Sequence, residues 1–445
     1  MSVDLLRDEA HFQRTLRRRQ LRGALWRRFF ALSTIVALLA LVALFYNIAD
    51  QAFGYVATQY IVPPSELTED GSLEALDNQQ LARILAAYMP NRLRVYIRDY
   101  LSVVPSNQFT SAPISRSLAG STFPAADADR TINDLTSEQH TAILAENLSH
   151  ADLLALVGQD VVGEEVLQTW KLTESLLQRD QIALAIADKY PDAVMEFRSW
   201  VNLDFLTAPG YEQVERAGIR TALLGSLWLI VITVAVAFPI GVGAAIYLEE
   251  YASASRLNQI IETNIRNLAG VPSIIYGLLG LVIFVRAMSG VTGGRTVLSA
   301  GLTMALLILP VIIINAQEAL RAVPFSIREA SYGLGASKWQ TIWRSVLPAA
   351  VPGILTGTIL GMSRAIGETA PLIVIGASAF IIVDPQGLQS SFTALPIQIF
   401  RWTALAQPEY KDIAAAAIIV LLILLLALNA TAIILRQQYR KKLSA

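Results

Sequence analysis

Two charged side chains, Arg364 and Glu368, stand in the otherwise apolar run of residues 345–383. Four positions apart, they share one face of a helix. An ionised side chain at bilayer depth costs about 2.5–3.5 kcal/mol on insertion scales, so each needs a partner or a wetted cavity. Two arrangements meet that need. The pair neutralises itself and locks the helix, or Arg364 faces a permeation path while Glu368 tunes it or turns to a partner subunit. Charges inside a membrane are functional by default, and the planar fork of arginine donates two parallel hydrogen bonds to an oxyanion. The expectation is an anion path at Arg364.

Gly367 and Pro371 add a second device. Pro371 cannot donate to the carbonyl of Gly367 and clashes with it, which predicts a kink. If the helix breaks instead, the amides after Thr369 form a helix N-terminus able to hold an anion. Ser273 and Tyr276, in another apolar run, offer neutral hydrogen bonds near the inner end of the path. Helix–helix packing explains Ser273 equally well.

Other chemistries are excluded. The chain has no cysteine, hence no disulfide and no cysteine-ligated metal. His11, His140 and His150 all lie outside the apolar runs, which rules out a histidine metal cluster or general base in the membrane. No GxxxxGK[ST] occurs, and Gly333-Leu334-Gly335-Ala336-Ser337-Lys338 has the wrong glycine spacing, so no P-loop is expected. No catalytic constellation, metal or cofactor is expected.

The elements that must hold these residues are membrane helices. The 445 residues are 54% hydrophobic and 16% charged, with mean hydropathy +0.47, too apolar for a set of soluble domains. Residues 1–28 carry eight arginines against Asp4, Asp8 and Glu9. Residues 29–48 follow as a charge-free run long enough to span, and too long for the apolar core of a signal peptide. The arginines are better explained by a cytoplasmic tail before a retained span than by nucleic-acid binding.

Further charge-free runs occupy 221–248, 267–285, 296–317 and 413–435. Counting 345–383 as one crossing gives six spans. Arg436, Arg440, Lys441 and Lys442 then lie inside with the N-terminus, and 380–406 lies at the outer surface.

Residues 50–219 hold 24 acidic against 11 basic side chains, an excess of 13 in a chain whose net charge is −1. Helical patterns appear at 78–88, 137–148 and 164–189, and 105–124 reads as loop. The expectation is an acidic, mainly helical domain outside, with its carboxylates on solvated faces.

Residues 318–347 differ again, being amphipathic and charged. Ser326 is a candidate N-cap for a helix from Ile327, with Glu329 three residues on. Gly333 and Gly335 are placed to stop or bend it. Trp339, Ile342, Trp343 and Val346 recur at helical spacing before Leu347-Pro348 opens the membrane segment.

This stretch resembles the EAA loop of ABC importer permeases: Glu-Ala-Ala, three residues, Gly, then nine residues before Ile-x-Leu-Pro. Here Glu329-Ala330-Ser331, Gly335 and Leu347-Pro348 stand in register, with Ser331 for the third alanine and Ser345 for the isoleucine. Asp204-Phe205-Leu206-Thr207, Ala269-Gly270-Val271-Pro272-Ser273-Ile274-Ile275-Tyr276-Gly277 and Arg364-Ala365-Ile366-Gly367-Glu368-Thr369-Ala370-Pro371 sharpen the match. Over roughly 204–436 the chain resembles the PstA-type permeases of the phosphate ABC importer.

The resemblance implies an all-α polytopic fold with six transmembrane helices of the type I ABC importer permease kind and an inserted periplasmic domain. In order these are a basic tail (1–28), a first span (29–48), the acidic domain (50–219), a permease core (220–436) and a basic tail (437–445). It further implies that Glu329, Ala330, Ser331, Gly335, Leu347 and Pro348 couple the chain to the ATPase. The implied partners are a PstC-type second permease, a PstB-type ATPase dimer that binds the ATP, a PstS-type phosphate-binding protein and the lipid bilayer of a bacterial inner membrane. No nucleic acid is implied.

A permease for molybdate or sulfate is the rival within this class. A membrane sensor with an acidic outer domain is the rival outside it. A sensor usually carries a cytoplasmic output domain, and only about ten residues follow the last span. A proton-coupled carrier is disfavoured because no inverted repeat is visible.

Overall fold

Helix α1 (Ser2–Ala52) runs unbroken through the first expected span. The computed structural model describes residues 2–68, 72–104, 109–210, 214–253, 255–376, 381 and 383–444, and the side chains of these except 2–18, 21, 435 and 439–444. Four of the eight N-terminal arginines, Arg440, Lys441 and Lys442 of the C-terminal tail, and Phe380 at the start of the expected outer segment therefore lie outside the described side chains. None of the most apolar window of α1 is buried against the rest of the chain. Ser33 and Thr34 donate their hydroxyls to the carbonyls of Phe29 and Phe30 at 3.0 and 2.9 Å, which satisfies both donors within the helix.

Residues 55–170 and 177–197 form one compact unit. Helices α2 (Asn78–Tyr88), α3 (Leu93–Leu101), α4 (Ser137–Asn147) and α5 (His150–Val157) close on Leu81, Leu85, Ile97, Ile143, Leu144 and Leu153. Helix α2 starts where its sequence dictates. Gln80 N–H donates to Asp77 Oδ1 at 2.7 Å, and Asp77 N–H donates to Gln80 Oε1 at 2.8 Å. The buried carboxylate of Asp160 accepts from the Tyr96 hydroxyl at 2.6 Å and from Arg92 Nη1 at 3.2 Å.

The unit also carries a sheet, ordered β2-β1-β3, of strands β1 (Phe53–Tyr60), β2 (Glu164–Thr169) and β3 (Val194–Ser199). Strands β1 and β2 are antiparallel, with Val56 opposite Thr169 and Tyr60 opposite Glu164. The continuous helix expected over 164–189 is therefore corrected. Only its second half is helical, as the short helix Leu172–Leu177 and α6 (Arg179–Lys189). Pairing with β1 lets Leu167 and Trp170 pack against Ala57, Ile182 and Ile186, and that burial outweighs a weak helical pattern. The expected loop at 105–124 contains one helical turn, Ile114–Ser117, while residues 105–108 lie outside the described residues.

The remaining unit is the membrane part. Short helix α7 (Leu203–Thr207) is capped by Asn202, whose Oδ1 accepts from Phe205 N–H at 2.7 Å. Phe205 is buried against Trp402, with ring centroids 6.1 Å apart. Helix α8 (Arg220–Ile246) follows, then α9 (Arg256–Ala269) and α10 (Ser273–Gly280), the latter widening into a π-helical stretch that reaches Ala287. Helices α11 (Val297–Arg321), α12 (Phe325–Gly333), α13 (Lys338–Gly367), α14 (Ala370–Ile375), α15 (Leu395–Ala404) and α16 (Glu409–Ser444) complete it. Among the described residues, five helices are long and apolar enough to cross a membrane, and six if the bent pair α9–α10 is one span.

Helix α11 is the most enclosed, with 67% of its apolar window buried. Small residues on its neighbours allow the close approach. A Cβ on Gly241 of α8 would fall 2.7 Å from Ile312, and one on Gly353 of α13 would fall 2.7 Å from Ala319.

The membrane part departs from the sequence reading in three places. The third run, expected as a straight span from residue 267, is bent by 104° between Ala269 and Ser273. Pro272 itself is extended (φ −54°, ψ 136°) just before the new helix, and a proline also disfavours helix in the residue that precedes it. Leu347-Pro348 does not open a helix but lies within one that starts at Lys338. There the backbone widens into a π turn over Ile342–Val346, and Leu347 N–H reaches back five residues to Ile342. The wider turn accommodates Pro348, which has no N–H to give. Lastly, the 345–383 run is broken after Gly367.

Candidate functional site

The break builds the first site. Helix α13 ends at Gly367, Glu368 is extended (φ −80°, ψ 116°), and α14 starts at Ala370 with Pro371 in its first turn. Pro371 thus begins a new helix rather than kinking the old one. Arg364 Nε donates to Glu368 Oε1 at 3.3 Å across the end of α13. The arginine side chain is 41% exposed and the glutamate 21%. Nε is the only nitrogen of Arg364 with a hydrogen bond among the described residues, so both terminal nitrogens remain available. Thr369 is half-buried and makes no side-chain cap.

Helix α10 meets this break directly. A Cβ on Gly277 would lie 2.7 Å from Pro371 Cα, so glycine is what lets the two backbones touch. Next to it, Tyr276 is buried and donates its hydroxyl to the carbonyl of Leu268 at 2.8 Å. That hydrogen bond spans the α9–α10 bend. Ser273 is the half-buried first residue of α10. Of the five path candidates, Arg364 and Glu368 are paired, Thr369 follows them, Tyr276 is one residue from the α10–α14 contact, and Ser273 lies a turn away from it.

The second site is the elbow between α11 and α13. Helix α12 begins at Phe325 behind Pro324, not at Ile327 behind Ser326, and no side chain caps it. What fixes the corner is Arg328. Its Nη1 donates to the Val323 carbonyl at 2.9 Å and its Nη2 to the Leu320 carbonyl at 3.0 Å, closing the end of α11. The same Nη2 lies 2.6 Å from Glu250 Oε1, in the π turn Tyr247–Tyr251 that ends the second span. Both side chains are buried, at 11% and 7% exposure. Arg321 adds a two-pronged pair to Glu249 at 2.7 and 3.0 Å.

Gly335 stops α12 in the left-handed region at φ +80°, which only glycine adopts freely. Ser337 then caps α13 through a box with Gln340. Glu329, Ala330 and Gly335 are exposed, whereas Ser331, Leu347 and Pro348 are half-buried. Around them the elbow leaves apolar surface bare. Leu334 is 90% exposed, Phe325 is exposed, and Trp339 and Trp343 stack with centroids 5.4 Å apart. Such a patch on a polar loop marks an interaction surface.

Sequence reasoning missed Arg328, Glu250 and Asn429. Asn429, the one amide side chain in the apolar run of α16, accepts from Ser363 at 2.8 Å beside Arg364. A lone asparagine in an apolar run was the available signal. Glu250 and Arg328 are separated by 78 positions, and no spacing rule joins them.

A helix broken at an ion pair within an apolar run, with an amphipathic elbow following its most enclosed neighbour, is the build of a transport permease. Residues 237–444 match the family described as binding-protein-dependent transport system inner membrane component, and the chain belongs to that family. It is a multi-pass permease family, not one of enzymes.

The chain is 33% identical over 193 residues to the "Probable ABC transporter permease protein YqgI" of Bacillus subtilis (strain 168), which is 43% of this chain and 64% of that one. It is 37% identical over 194 residues to the "Phosphate transport system permease protein PstA 1" of Mycobacterium tuberculosis (strain CDC 1551 / Oshkosh), covering 43% and 61%. It is 31% identical over 214 residues to the "Phosphate transport system permease protein PstA" of Haemophilus influenzae (strain ATCC 51907 / DSM 11121 / KW20 / Rd), covering 48% and 74%. The chain thus spans under two thirds of the first two relatives.

Proposed function

We propose that this chain is the permease subunit of an ATP-driven importer for inorganic phosphate, forming half of the translocation path. One observation carries the reading. Arg364 spends only Nε on Glu368 and keeps its terminal nitrogens for a ligand. Two parallel donors on a planar cation fit a tetrahedral oxyanion. The phosphate permeases among its relatives favour phosphate as that oxyanion. Thr369, Ser273 and Tyr276 flank the path, with Tyr276 chiefly holding the bend.

In this reading both tails and the α11–α13 elbow face the cytoplasm, and the acidic domain of residues 50–219 lies in the periplasm. Glu329, Ala330, Ser331, Gly335, Leu347 and Pro348 then form a coupling surface whose bare Leu334, Trp339 and Trp343 dock on a separate PstB-type ATPase dimer. A PstC-type second permease completes the path and a PstS-type binding protein delivers the anion.

Uptake of radiolabelled phosphate, normalised to protein in the membrane, tests the assignment. Arg364→Gln abolishes uptake and Arg364→Lys, which keeps charge without the fork, restores part of it. Glu368→Gln alone retains some uptake. The double variant Arg364→Gln/Glu368→Gln folds but stays inactive. A transport-competent double variant would remove Arg364 from the path. Competition by unlabelled molybdate or sulfate at phosphate-like concentrations would reassign the oxyanion.

A further inference from the structure

Helix α9 (Arg256–Ala269) is amphipathic and has no buried residue along its whole length. Its polar and apolar positions sort into three faces. Ile265 packs toward the core and Asn258, Glu262 and Ala269 are half-buried on that side. Leu257, Ile260, Ile261 and Leu268 form an exposed apolar stripe beside it, with Leu257 66% and Ile260 58% exposed. Gln259, Thr263 and Arg266 lie on the remaining side.

The direction of α9 is set by the 104° bend to the helix through Ser273–Ala287. If that helix crosses the bilayer, α9 runs close to the membrane plane. The bend is pinned, because the Leu268 carbonyl at the end of α9 accepts both the Tyr276 hydroxyl at 2.8 Å and the Val271 N–H at 3.0 Å.

We propose that α9 is an in-plane interfacial helix whose apolar stripe is seated in the acyl region of one leaflet. The chemistry of both faces fits a lipid occupant. Within the stripe, Asn264 turns its amide back to the Ile260 carbonyl at 2.8 Å, so its donor is satisfied inside the helix. Thr263 does the same with Gln259 at 2.7 Å. Arg256 and Arg266, outside the stripe, make no ion pair among the described residues and are placed for anionic headgroups. An apolar stripe bordered by arginines is the pattern of a helix lying in the membrane boundary. Tyr276 acts here as a positioning residue. It holds the angle between an element resting on the leaflet and α10, whose Gly277 touches the break at Pro371.

The cysteine-free sequence makes the test direct. Single cysteines at Leu257, Ile260, Leu268, Gln259 and Thr263 of the full chain are spin-labelled in the assembled transporter in lipid nanodiscs. Collision with oxygen, which concentrates in acyl chains, is compared with collision with a water-soluble nickel chelate. Labels at Leu257, Ile260 and Leu268 are expected to favour oxygen, and labels at Gln259 and Thr263 to favour nickel. Stripe labels shielded from both reagents would give the surface to a protein partner, and stripe labels favouring nickel would place it in water. Either result overturns the proposal, whatever anion is carried. In Tyr276→Phe, the oxygen preference at Leu268 is expected to fall while that at Leu257 persists. An unchanged Leu268 would remove Tyr276 from the role.

Discussion

Ser331 Oγ lies 3.1 Å from Ser345 Oγ, joining α12 to the π turn of α13 across the elbow. These are the two positions at which the loop departs from the alanine and isoleucine of the resembling pattern. The departures compensate one another: two small hydroxyls meet where a methyl would meet a branched chain. Ser331 also reaches the Ile327 carbonyl at 3.0 Å.

Either Ser331→Ala or Ser345→Ala should therefore lose about 0.5–1.5 kcal/mol of stability, the net worth of one hydrogen bond. The double variant should lose less than the sum, because both remove one contact. Thermal unfolding in detergent checks the cycle. Strict additivity would mean the hydroxyls do not interact.

The Arg328–Glu250 pair predicts a different phenotype. Removing one partner of a buried pair costs about 3–5 kcal/mol, since the other charge is left stranded. Glu250→Gln should loosen the corner that fixes α12 against the second span. In reconstituted transporter, ATP hydrolysis per anion moved should rise, while Glu329→Gln, on the exposed surface, leaves the corner intact. An unchanged ratio in Glu250→Gln would make the pair purely structural.

Much of the elbow was legible locally. Gly335 was placed to stop the helix and does so in the left-handed region, while the equally local cap of Ser337 with Gln340 was passed over for Ser326. Helix α2 was legible over its whole length, Asn78–Tyr88, because its signals lie within a few residues. The stretch from Glu164 was not. Val166, Leu167 and Thr169 suit a strand as well as a helix, and only β1, over a hundred residues earlier in the chain, decides it. At the candidate site, the i,i+4 spacing gave the pairing of Arg364 with Glu368. Gly367 and Pro371 left a kink and a break as alternatives, and the choice of a break, like the contact of Gly277 with Pro371, belongs to packing between helices, which spacing does not encode.

A pH effect follows from His140 on α4. Burial lowers its pKa from the ordinary 6.5, outweighing the Ile132 carbonyl, while the charge of Arg94 adds to the lowering. The neutral ring donates Nε2–H to that carbonyl at 2.9 Å. The unfolded chain binds the proton more readily than the folded one. The contribution of His140 to stability is thus complete above pH 6.5 and is lost as pH falls from there through the depressed folded value. The protection factors of the α4 amides, which are corrected for the intrinsic slowing of exchange in acid, should fall on acidification below 6.5, and His140→Gln should flatten that dependence. An equal acid response in the variant would assign it to other groups.

Topology gives a binary outcome. A cysteine at Ser137 should react with an impermeant maleimide in cells stripped of the outer membrane, while one at Ser337 should react only once the inner membrane is opened. Both positions are exposed on the protein surface. The reverse pattern would invert the proposed orientation of every span.

The backbone N–H of Trp200 donates to the carbonyl of Ala52 at 3.1 Å, where the chain returns from its long excursion through residues 55–197. Departure and return therefore happen at one address. Between these ends the chain touches down once more, where Thr173 N–H donates to Asp50 Oδ1 at 2.7 Å, and lengthening a closed loop adds little entropy cost once its ends are fixed. The acidic unit is modular in that sense. It can be enlarged or exchanged while Ala52 and Trp200 keep their closure.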